Sequence, residues 1–213
     1  MPEMKRFVLG ALFGALLAGT TTIYAADDIR AVLFPVQIEF NGVTKDLGSG
    51  YAVLNYDGHT YVPLRFMAEN LGAGALYDAA NKKVSVASEP KNAPDAEKKV
   101  WAVKYRMERG MESKDVKAVL GDPSFVTWID SSRQQVSRYD FGAKSDYQFG
   151  GLNSDVTGLR QGTLDAQLFI RWTPNGQVDR YDLWYVQKGS DGTRSIYTYI
   201  VYPDGSTGGA LYE

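Results

Sequence analysis

Among its 213 residues the chain has no cysteine and a single histidine. Without thiols there is no disulfide, no thiolate metal site and no thioether-linked lipid anchor. A lone His59 rules out Ser-His-Asp and Cys-His arrangements, and one chain cannot assemble a histidine-rich metal site from it. Long charge runs are also missing: 23 basic residues stand against 25 acidic ones, a net charge of −2, which disfavours nucleic acid as a partner. No phosphate-binding G-x-x-x-x-G-K-[ST], no H-E-x-x-H and no calcium loop occurs. Gly48-Ser49-Gly50 lacks the lysine and the following helix that a phosphate loop needs. The sequence therefore offers no histidine- or thiol-based catalytic constellation, no metal site and no cofactor site, and leaves only a carboxylate pair drawn from two strands as a catalytic arrangement.

The first residues, MPEMKRFVLGALFGALLAGTTTIYAADD, place Lys5 and Arg6 before an apolar run that fades into threonines and small residues. This is the layout of a secretory signal peptide over residues 1–25, with cleavage after Ala25. The run is interrupted too often for a bilayer span of about 20 apolar residues, so no stable membrane insertion is expected after cleavage. The expected location is secreted or cell-wall associated.

Residues 27–88 alternate hairpin signals with one helix. Val36, Ile38 and Phe40 lead into Asn41-Gly42; strands flank Asp57-Gly58; and a third pair surrounds Lys82-Lys83. Pro63 opens a helix that Gly72 closes, with Leu64, Met67, Ala68 and Leu71 as its apolar face and Arg65 and Glu69 spaced for an i,i+4 ion pair. The expected fold is a small antiparallel sheet with one packed helix. Tyr61-Val62-Pro63-Leu64-Arg65, then Ala68-Glu69-x-Leu71-Gly72-Ala73, resembles the stalk domain of bacterial cell-surface proteins, also called the copper amine oxidase N-terminal-like domain. In the oxidases that share this domain, the copper chemistry belongs to a separate domain, so the resemblance implies an envelope protein and no metal.

Ser88 to Lys99, with two prolines and mixed charges, reads as a linker, assigned to 89–99. Residues 100–213 then begin with two short helices. One runs to Arg109 and the next is stopped by Gly121 and Pro123, after which five strand patterns follow as a meander. The fold class expected for the whole is α+β. Gly110-Met111-x4-Val116-x3-Leu120-Gly121-x-Pro123, with Tyr139-x-Phe141 and Leu168-x-Ile170-x-Trp172, resembles the superfamily shared by outer-membrane assembly lipoproteins and β-lactamase-inhibitory proteins. The chain lacks the former's lipidated cysteine and carries an insertion from Gly142 to Asp165.

Aromatic residues, 14 Tyr, 4 Trp and 9 Phe, concentrate after residue 100. If Thr173 to Gln177 is a type I turn with Gly176 as its bulge, Arg171 falls opposite Asp179 and Phe169 opposite Tyr181. That register gathers Phe169, Arg171, Tyr181, Tyr185, Tyr197 and Tyr199 on one sheet surface, opposite a core face holding Leu168, Ile170, Trp172, Val178 and Trp184. The aromatic and arginine surface is either an open partner-binding face or is covered by the insertion. Asp179 and Asp182 are read as ion-pair partners of Arg171 and Arg180, or as charges that simply solvate the sheet, rather than as catalytic acids. The expected function is a non-enzymatic adaptor binding a protein or a cell-wall glycan. A secreted inhibitor of a hydrolase such as a β-lactamase is the alternative, and a cell-wall carbohydrate-active enzyme a weaker one.

Overall fold

A computed structural model describes residues 29–78, 81–129 and 134–212. The expected signal segment, 1–25, lies outside these residues. By backbone contacts the chain divides into two units, Met1–Val36 with Ser49–Val62, and Gln37–Gly48 with Pro63–Glu213.

The elements of the first part are β1 (Val32–Leu33), β2 (Ile38–Phe40), β3 (Val43–Lys45), β4 (Leu54–Tyr56), β5 (His59–Tyr61), α1 (Leu64–Asn70), β6 (Ala73–Asp78) and β7 (Lys83–Ser88). In the first unit β1, β4 and β5 form a three-stranded antiparallel sheet. The second unit holds the β2–β3 and β6–β7 hairpins. Asn41 and Gly42 both have positive φ, as do Asp57 and Gly58, which is the backbone that two-residue hairpin turns require. Helix α1 is rotated from the expected face. Phe66 and Ala68 are buried and Phe66 packs edge-on against Phe40, whereas Leu64 and Leu71 stay 47% and 64% exposed. In two turns of helix the largest ring removes the most apolar surface from water, and it sets the rotation. Arg65 consequently pairs with Glu108, not with Glu69.

The second part comprises α2 (Asp95–Tyr105), α3 (Ser113–Leu120), β8 (Phe125–Ile129), β9 (Gln134–Phe141), α4 (Val156–Gln161), β10 (Ala166–Trp172), β11 (Val178–Lys188), β12 (Arg194–Val201), β13 (Thr207–Gly208) and β14 (Leu211–Tyr212). Residues 95–99, expected as linker, are the first turn of α2, with Asp95 and Glu97 complementing its dipole and Ala96 buried. The helix ends at Tyr105, short of Arg109. The seven-stranded antiparallel sheet runs β13-β12-β11-β10-β9-β8, with β14 also on β12. Its inner face packs on the helices: Val103, Met107, Val116 and Leu120 meet Tyr139, Leu168, Ile170, Trp172, Val178 and Leu183.

The register of the β10–β11 hairpin differs from the expectation. Arg171 pairs with Arg180, Phe169 with Asp182 and Ile170 with Tyr181, while Trp172 pairs with Val178. The step from the Arg171–Arg180 pairing to the Trp172–Val178 pairing inserts Asp179 as an extra residue on β11. Beside the bulge, Val178 exchanges hydrogen bonds with Gly110 and Met111, and the Asp179 carbonyl accepts from Arg109 Nε at 2.9 Å. A slip of one residue moves a side chain to the other face of a sheet.

Candidate functional site

The bulge splits the six residues expected to share a surface. Tyr181 and Tyr185 are buried in the inner core, where Tyr197 and Tyr199 pack half-buried against them. Tyr181 Oη donates to the Met107 carbonyl at 3.0 Å, and Tyr185 stacks on Tyr197 with ring centroids 5.9 Å apart. Burial pushes the Tyr199 hydroxyl up to about 12. Phe169 and Arg171 lie on the outer face, and so does Trp184, which had been expected in the core.

The insertion folds over this outer face rather than over the tyrosines. Leu159 and Leu164 bury there with Ile196, flanked by Tyr147, Val156, Trp184 and Val186. A polar network fixes the loop. Buried Arg138 reaches Asp140 at 3.0 Å and donates to the Gly151 and Phe149 carbonyls at 2.9 and 2.8 Å, with its guanidinium against the rings of Phe125 and Phe149. Gln167, fully buried, donates to Asp140 at 2.7 Å and accepts from the Asp155 backbone at 2.8 Å. Tyr147 Oη donates to Asp155 at 3.1 Å, and burial raises its pKa first, that hydrogen bond second.

The loop stops short of covering the sheet. Between its Leu152, Asn153 and Ser154 and the strands lies a groove of about 230 Å³, walled by Ile129, Val136, Phe169 and Ile200 and by Arg171, Arg180, Asp182 and Trp184. Arg180 is satisfied by a two-pronged bond to Asp182 at 2.8 and 3.0 Å. Arg171, half-buried and directly opposite it, has no hydrogen bond or ion pair to any described residue. Asp179, expected to neutralise Arg171, instead sits 3.9 Å from Arg109. Sequence periodicity could not find this groove, because its membership turns on the Asp179 bulge and on where the insertion ends.

Residues 27–94 match the copper amine oxidase N-terminal domain. This is a domain typical of extracytoplasmic bacterial proteins, and it ends just before α2; the domain that follows is unidentified. No curated protein and no solved structure matches the chain. Among the described residues there is no donor set for the copper in the domain's name. His59 is exposed on β5 without a second imidazole or thiol in the chain, and the described residues hold no cluster of three His, Cys, Asp or Glu side chains. Among the described residues no helix is long and apolar enough to cross a membrane.

Proposed function

We propose that this protein is an exported, non-enzymatic adaptor that recognises an extracytoplasmic protein partner through the outer groove. One observation carries the reading: Arg171 lies in a half-open groove with no ion-pair partner among the described residues and faces a second arginine to which the groove's Asp182 is already committed. A guanidinium offers a planar fork of donors matched to carboxylates. The occupant that fits brings an Asp, a Glu or a chain-terminal carboxylate, together with an apolar side chain for Val136, Phe169 and Ile200. Those walls favour a peptide over a hydroxyl-rich glycan, and arginine and tryptophan are the residue types that dominate recognition hot spots. The matched N-terminal domain supports the extracytoplasmic setting.

Selection of displayed random peptides on the full chain tests the reading. Peptides enriched by the wild type and not by Arg171→Gln, and carrying an acidic group beside an aliphatic residue, support it; selection indifferent to Arg171 contradicts it. A second reading, a secreted inhibitor of a hydrolase such as a β-lactamase, draws on the helix–helix–meander order of residues 95–201. It would use the same groove, and stoichiometric loss of hydrolase turnover separates it from a passive adaptor.

A further inference from the structure

On the opposite side of the sheet, a cleft of about 530 Å³ opens between α2, the residues leading into it, and β11. Its apolar walls come from Pro90, Pro94, Val100, Tyr105 and Tyr185. The volume is in the range of sites for small organic ligands. Its lining charges, Glu97 and Asp165 against Lys104 and Lys188, balance in number but do not pair off one to one. Asp165 Oδ1 is shared by Arg194 at 3.2 Å and Lys188 at 3.3 Å, so that carboxylate already serves two cations. Glu97 lines the same helix face seven residues before Lys104, about 10 Å along the axis, beyond ion-pair reach. Lys104, half-buried, rests its ammonium 5.3 Å from the centre of the Tyr185 ring and has no hydrogen bond or ion pair to any described residue. A ring face attracts a cation but accepts none of its three N–H bonds. Burial also lowers the Lys104 pKa, as expected of an ammonium short of solvent and counter-charge. A further donor in the wall is unmet: Trp101 lines the cleft, and its buried Nε1–H has no acceptor among the described residues.

We infer that this cleft is a second binding site, for a small organic acid with an apolar or aromatic body, whose carboxylate pairs with Lys104 while its body lies against Pro90, Pro94, Val100 and Tyr105. The site is separate from the outer groove and does not depend on the function proposed for it. The cation selects a carboxylate, and the apolar walls exclude a bare inorganic anion as the matched ligand. Lys188, exposed at the rim and already bonded to Asp165, adds long-range attraction without fixing the carboxylate.

The test uses N-acetyl-phenylalanine and its uncharged amide as probes, titrated calorimetrically into the full chain carrying Arg171→Gln, so that the groove cannot contribute. The carboxylate should bind at one site about tenfold more tightly than the amide. Lys104→Met should erase that preference, and Lys104→Gln serves if the methionine variant fails to fold. Carboxylate binding should also move the ring proton signals of Tyr105 and Tyr185. Equal affinity for acid and amide, binding that survives loss of the Lys104 ammonium, or no binding of the acid would each overturn the inference.

Discussion

Arg171 stands directly opposite Arg180 across the β10–β11 ladder, and among the described residues Asp182 serves Arg180 and not Arg171. Like charges placed opposite each other cost a strand pair roughly 0.2–1 kcal/mol. A fold selected for stability alone would have no reason to keep the pair. Arg171→Gln should leave stability unchanged or raise it by up to about 1 kcal/mol. Urea unfolding measures this, and a clear loss of stability would show that Arg171 supports the fold.

Tyr181 is a core residue with a hydrogen-bonded hydroxyl. Tyr181→Phe removes the donor to the Met107 carbonyl and leaves that buried acceptor unmet, at a cost of about 1–3 kcal/mol. Tyr181→Ser also opens a cavity and should cost about 3–5 kcal/mol. A serine variant as stable as the wild type would return Tyr181 to the list of recognition residues.

Arg138 holds the insertion by hydrogen bonds to the Phe149 and Gly151 carbonyls and by its contact with the Phe149 ring. Arg138→Leu strands Asp140, and breaking such a buried pair costs about 3–5 kcal/mol. Arg138→Lys should recover little, because a single ammonium cannot reproduce the fork that spans Asp140, Phe149 and Gly151. In both variants a nonspecific protease should cut within 142–155 first, whereas the wild-type loop should resist.

Alkali should unfold the protein through its phenols. Burial pushes Tyr139 and Tyr199 up to about 12, above the free phenol near 10. Both shifts favour the neutral form in the fold. The stability they carry is complete below about pH 10 and is lost as pH rises toward about 12. The urea midpoint should fall across that window and fall less in Tyr139→Phe; a midpoint flat through the window would contradict the burial of these rings.

The hairpins and helices were legible because Asn41-Gly42, Asp57-Gly58, Pro63 and Gly72 state their turn and cap chemistry locally. Alternation along β11 likewise separated Tyr181, Leu183 and Tyr185 from Arg180, Asp182 and Trp184. The candidate site was not legible, since two non-local facts decide it. At the Asp179 bulge, Gly110 N–H and Arg109 Nε donate to β11 and the Met111 carbonyl accepts from it, Arg109 from 70 residues away, and the shifted register puts Phe169 and Arg171 on the other face. Arg138, met in sequence as one more strand residue, pulls the insertion over that face and leaves its edge as the groove. A similar non-local choice buried Phe66 in place of Leu64.

On the function proposed above, the outer groove reads a carboxylate beside an apolar side chain. The direct measurement is the affinity of the full chain for a selected peptide with an acidic residue and for the same peptide with that residue as its amide, in the wild type, Arg171→Gln and Lys104→Met. The wild type should prefer the acid about tenfold. Lys104→Met should keep the same preference, and Arg171→Gln, with a melting temperature that is not lowered, should show none. Acid and amide peptides bound equally by the wild type, or an acid preference that persists without Arg171, would rule out carboxylate recognition by the groove.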